Sequence, residues 1–146
     1  MKTINIKVVE HNSNQYRETI ALRNKILRKP LGLTYTPEQL EAEFDSIHVA
    51  CYFQDELVGC LILKPDGLEN LKMRQVAVSD KHQGLGVGRA LVDFSEKYAG
   101  DNGYSKISMH ARESAVGFYL KLGYEVEGEP FEEVTIPHRS MFKRIG

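Results

Sequence analysis

Val78-Ser79-Asp80-Lys81-His82-Gln83-Gly84-Leu85-Gly86-Val87-Gly88-Arg89-Ala90-Leu91 is the stretch on which the reading of this chain turns: the end of an apolar strand, a loop with three alternate glycines, then an amphipathic helix. The first turn of a helix offers N–H groups without intrahelical partners at the positive end of its dipole, and glycines let anion oxygens come close to that backbone. The pattern asks for a phosphorylated ligand. Spacing removes two common glycine loops. A Walker loop needs Lys and then Ser or Thr after its last glycine, and here Gly88 is followed by Arg89 and Ala90. A dinucleotide fingerprint needs glycines at relative positions one, three and six in an opening βαβ unit, but position 89 is Arg and the loop lies deep in the chain. Taken alone, the loop also reads as a tight turn that lets a helix pack closely.

Upstream, Leu71–Val78 alternates at first and becomes wholly apolar, as a central strand covered on both faces would. Residues 47–53 and 57–63 flank Gln54-Asp55-Glu56 as an antiparallel hairpin, and a two-residue turn there would set Cys51 and Cys60 on one face. Period-two spacing of Ile4, Ile6 and Val8 predicts an opening strand. A helix over about 15–27 follows, stopped by Pro30 and Gly32, and Thr36-Pro37 begins a second, brief one. Downstream, Leu91, Val92, Ser95, Tyr98 and Ala99 recur at helical spacing, Lys106–His110 reads as a strand, and Ala115, Phe118, Tyr119 and Leu122 share a helical face that ends at Gly123. Strands over 124–127 and from Val134 or later to Arg144 complete a mixed α/β order, β-α-α-β-β-β-α-β-α-β-β.

The 146 residues suit one domain spanning 1–146, and a formal net charge of -1 creates no field that would draw the chain to nucleic acid or anionic lipid. The N-terminus lacks the apolar run of a secretory signal or a membrane span, which predicts a cytoplasmic protein. Two cysteines without Cys-x-x-Cys spacing or a nearby His cluster indicate neither a disulfide framework nor a metal site.

Gln83-x-x-Gly86-x-Gly88 resembles the pyrophosphate loop of the GNAT (GCN5-related N-acetyltransferase) superfamily, and its flanks, Gln75-Val76-Ala77-Val78 and Gly88-Arg89-Ala90-Leu91-Val92, resemble the family's strand and helix. About thirty residues on, Ala115-x-x-Phe118-Tyr119-x-Lys121-x-Gly123-Tyr124 is similar to the family's second signature. Arg23–Gly32, His110-Ala111-Arg112 and Ile136-Pro137-His138 are similar to a bacterial branch of often unassigned substrate. Arg112 departs from the pattern, standing where many relatives carry Asn.

The resemblance implies the GNAT acyl-CoA N-acyltransferase fold, a mixed central sheet with splayed central strands flanked by helices. It also implies an acetyl-CoA cosubstrate whose acetyl group passes to a primary amine by direct attack in a ternary complex, with no metal. The pyrophosphate would sit on the backbone of Gly84, Leu85, Gly86, Val87, Gly88 and Arg89, beside Gln83 and Phe118. The pantetheine arm would lie along Val76, Ala77 and Val78 as an added strand. Lys81 and Arg89 would attract phosphate or simply be solvated. Tyr119 would stabilise the departing thiolate, or else be a packed aromatic. His138 would serve as base, ahead of His110, Glu132 and Glu133, and the acidic segment 129–133 would suit a cationic amine acceptor. Partners would be a metabolite, peptide or protein amine and a second copy of the chain in a homodimer. A non-catalytic acyl-CoA-binding or regulatory module of the same fold is the alternative.

Overall fold

The structure, a computed structural model, describes residues 4–145. Its elements follow the order read from the sequence: β1 (Ile4–Val9), α1 (Asn14–Arg23), α2 (Pro37–Glu41), β2 (Ile47–Phe53), β3 (Glu56–Pro65), β4 (Asn70–Val78), α3 (Val87–Asp101), β5 (Lys106–Arg112), α4 (Val116–Lys121), β6 (Glu125–Glu133) and β7 (Ile136–Arg144). The opening of α2 is a capping box. Thr36 accepts from the Gln39 amide, the Gln39 side chain accepts from the Thr36 amide, and Pro37 takes the first helical position.

One seven-stranded sheet runs β1-β2-β3-β4-β5-β7-β6. Every neighbouring pair is antiparallel except β4 and β5, which are parallel and joined only from Asn70↔Lys106 to Met73↔Met109. Past Met73 the two strands part. Gln75, at φ +55°, departs from strand geometry there, and the β3–β4 register slips between Cys60 and Ile62. A bulge of this kind bends the strand that carries it. β4 turns away while β5 stays paired with β7 as far as Arg112↔His138.

Helices α3 and α1 cover opposite faces. On the α3 face, Val49, Leu61, Leu63, Leu71 and Met73 pack against Leu91, Val92 and Ala99 in one apolar core. Gly59 sets how close α3 comes, because a Cβ there would stand 2.7 Å from Val87 Cγ1. The α1 face holds a polar core. Arg23 is fully buried and bridges Glu43 through two hydrogen bonds of 2.8 and 2.6 Å, and Tyr16 donates to the same carboxylate at 2.8 Å.

The hairpin departs from the simple two-residue register. Its turn, Gln54-Asp55, is the expected one, but the pairing shifts from Tyr52↔Leu57 to Cys51↔Gly59, inserting one extra residue into β3. That insertion flips the parity of everything beyond it. Cys51 joins the apolar core, whereas Cys60 pairs across from Ala50 and points its thiol at the Thr19 carbonyl of α1. The two cysteines therefore face opposite sides of the sheet, contrary to the sequence expectation. Burial pushes the thiols up to about 11 and about 12 respectively. The last hairpin also differs: residues 129–133, outside the two strands expected there, belong to β6, and Val134-Thr135 form the turn into β7.

Candidate active site

Where β4 and β5 separate, a cleft of about 700 Å³ opens between the glycine loop and the β6–β7 turn. The loop forms one end. Gly84 and Gly86 hold φ of +79° and +86°, and no atom lies within 4 Å of the place a Cβ would take at either, so the backbone is open to a ligand. Gly86 is the N-cap of α3, and no side chain caps the helix. The first turn has its earliest internal bond at Ala90 N–H to Gly86 C=O, leaving the amides of Val87, Gly88 and Arg89 as free donors. At Gly88 a Cβ would come 3.3 Å from Phe118 Cζ, so glycine lets α3 and α4 meet beside the loop. Gln83 closes the loop onto its strand, donating to the Val78 carbonyl at 3.2 Å.

The cleft wall includes Val76, Val78, Gln83, Gly84, Gly86, Val87, Gly88, Arg89, Phe118, Tyr119 and His138. Two further sequence candidates sit off it. Ala77 is buried and Leu85 is 56% exposed, and neither lines the cleft. Arg89 is exposed and lies 3.9 Å from Asp93, while Lys81 does not line the cleft. On the β5 side of β4, residues 74–78 have no strand partner. That free edge is where an extended, amide-bearing ligand can pair.

Tyr119, also on the cleft lining, is buried with its ring edge-on to Phe118 and Tyr124, and its hydroxyl bonds no described residue. Burial pushes it up to about 12. At the far end Glu133 joins two histidines. Its Oε1 accepts from His110 Nδ1 at 2.9 Å, and its Oε2 stands 3.7 Å from His138 Nε2. His138 Nδ1 lies 2.8 Å from the Ile136 carbonyl and must donate to it, which leaves the lone pair on Nε2. Burial alone would raise the Glu133 carboxyl, but the hydrogen bond from His110 and the charges of His110, His138 and Lys72 hold it below the ordinary carboxylate range.

A family model described as an acetyltransferase (GNAT) domain matches residues 23–145. The uncharacterized N-acetyltransferase YjcF of Bacillus subtilis is 31% identical over 138 residues, 93% of this chain and 97% of that protein. The chain belongs to the GNAT acetyltransferase family. Its fold is shared with Escherichia coli ElaA at a TM-score of 0.83 and 21% identity, over 97% of this chain and 99% of that one. An aminoglycoside 6'-N-acetyltransferase solved with coenzyme A gives a TM-score of 0.78 and 21% identity, over 97% of both chains. An acyl-CoA cosubstrate fits the GNAT loop described above, with its open glycines and free amides. Among the described residues no cluster of His, Cys, Asp and Glu is arranged to hold a metal ion.

Several cleft residues escaped the sequence reading. Arg28, Arg74 and Gln75 line it, and Arg112, noted only as a departure from the GNAT pattern, donates to the Leu27 carbonyl at 3.2 Å. Leu27 lies in a π-helical turn, Asn24–Arg28, that extends α1. No periodicity in the sequence marks such a turn.

Proposed function

We propose that this GNAT protein transfers the acetyl group of acetyl-CoA to a primary amine, and that Tyr119 and His138 serve the reaction. The observation that supports this best is the uncapped N-terminus of α3, with left-handed Gly84 and Gly86, opening onto the same cleft that Tyr119 lines. The pyrophosphate rests on the amides of residues 84–89, and the pantetheine pairs with the free edge of β4 beyond Met73. The amine nitrogen attacks the thioester carbonyl, a C–N bond forms, and the C–S bond breaks with its electron pair leaving on sulfur. Unpaired amides of β4 face the oxygen where negative charge grows.

His138 Nε2 takes the proton that the nitrogen loses. The imidazolium so formed is stabilised by Glu133, and Glu133 also holds His110, whose ring reaches solvent, so the proton has a way out. Tyr119 stabilises the thiolate by hydrogen bonding rather than by giving up its proton. With the phenol near 12 and a thiol near ~8.5, full transfer would be uphill by roughly 5 kcal/mol. The test is release of free thiol from acetyl-CoA in the presence of a panel of amines. Amine-dependent release supports the proposal. Tight acetyl-CoA binding without release across the panel would favour a non-catalytic acyl-CoA-binding module.

A further inference from the structure

Resting on the acetyl-transfer reading above, we infer that the acceptor is an amine carrying its own anionic group, a carboxylate or a phosphate, held by Arg28 and Arg74. The cleft lining contains four arginines, Arg28, Arg74, Arg89 and Arg112, against a single carboxylate, Glu133. A polyanionic coenzyme accounts for Arg89, which opens α3 beside the glycine loop. Arg112 is engaged with the Leu27 carbonyl. Neither account covers the other two. Arg74 stands five residues before Ser79, about 16 Å of strand from the loop, beyond the reach of one side chain.

Arg28 and Arg74 stand where a second, smaller pocket of about 240 Å³ joins the cleft, and Lys64 lines that pocket as well. Its only carboxylate, Glu43, is already neutralised by the two hydrogen bonds from Arg23. Three cations therefore face the pocket with no free anion among its lining residues. Arg28 is built into place. Its guanidinium lies 4.6 Å over the Tyr35 ring, Nη2 donates to the Thr34 carbonyl at 3.0 Å, and Nε is buried with no partner. A buried guanidinium N–H without an acceptor is costly, and an oxyacid group would satisfy it. The Tyr35 hydroxyl also donates to Gln75 at 2.6 Å, tying this pocket to the bulge where β4 leaves β5. Glu133, the carboxylate of the cleft lining, stays ionised and attracts an amine that arrives as ammonium, which must lose that proton to solvent before its nitrogen can attack. The two ends together select a molecule with a positive and a negative terminus.

The experiment measures acetylation of matched amines by the full chain: an amino acid against its amide, and O-phosphoethanolamine against ethanolamine. The inference expects the anionic member of at least one pair to show kcat/KM about tenfold higher or more, the carboxylate and phosphate pairs telling which oxyacid fits. In Arg74→Gln, an exposed site, that preference falls toward unity, and Lys64→Gln reduces it in part. Turnover with no preference for either anion, or a preference that survives Arg74→Gln, overturns the inference and leaves acetyl transfer standing. No turnover of any amine by protein that binds acetyl-CoA calorimetrically overturns the acetyl-transfer reading itself, and the inference with it.

Discussion

Tyr119 shows how a single residue's meaning depends on its surroundings. From sequence it is one of four positions on a helical face, indistinguishable from Phe118 or Leu122 as packing. In the fold it is buried yet lines the cleft, and its hydroxyl has no described partner. Its raised pKa keeps it protonated across any working pH. Tyr119→Phe is expected to lower kcat about tenfold, with the KM for acetyl-CoA changed less than twofold, because in the proposed role the hydroxyl acts chiefly as the thiolate departs. Steady-state kinetics on the thiol release checks both numbers. At this scale the glycines were legible because a left-handed backbone leaves a compositional mark. Arg28 and Arg74 were not, since nothing in a lone arginine says which way its strand will bend.

Among the elements, those with apolar periodicity were read correctly in order and type. The α3 stripe of Leu91, Val92, Ser95 and Ala99 emerges as expected, but the apolar end of β4 is not covered on both faces: Val76 and Val78 are half-buried and line the cleft left where β5 parts from β4. α1 is different. Its buried positions are Tyr16, Thr19 and Arg23, spaced as a helical face but polar, so hydrophobic patterning gives no warning of what it covers. Bulges were the other blind spot. One extra residue in β3 reverses which side Cys60 faces, and one left-handed residue, Gln75, opens the cleft, yet neither leaves a signature in composition. The β6–β7 turn carries strain of its own: Val134 and Thr135 hold φ of +46° and +65°, where β-branched side chains are disfavoured by roughly 1–2 kcal/mol each. A Val134→Asn, Thr135→Gly double variant suits such a two-residue turn and should raise stability by about 1–2 kcal/mol in urea titrations. Unchanged or lowered stability would mean that the turn is held by contacts to its side chains.

Across the whole molecule, the two faces of the sheet are stabilised by different physics, and acid separates them. The α3 side rests chiefly on apolar packing. On the α1 side, burial holds the His48 imidazole below its usual value. Burial would raise the Glu43 carboxyl, but the two hydrogen bonds and the charge of Arg23, with help from Tyr16, hold it low. Both groups bind protons more readily when unfolded, so each contributes stability that is lost as pH falls. His48 begins to cost stability below about pH 6.5, and Glu43 adds to the loss below about pH 4.3. The melting temperature should therefore decline in two stages. Glu43→Gln should cost about 3 kcal/mol at neutral pH, because it strands Arg23 without its counter-ion, and should flatten the lower stage. An acid profile identical in wild type and variant would remove Glu43 from this account.

All these scales meet in the uncapped start of α3, where the proposed function seats the coenzyme's diphosphate on backbone amides. The most direct test is a backbone-amide NMR titration with coenzyme A. The amide signals of Gly84, Gly86, Val87, Gly88 and Arg89 are predicted to move furthest, and to do so in register with saturation. Coenzyme binding that leaves those signals in place while others shift would contradict the account.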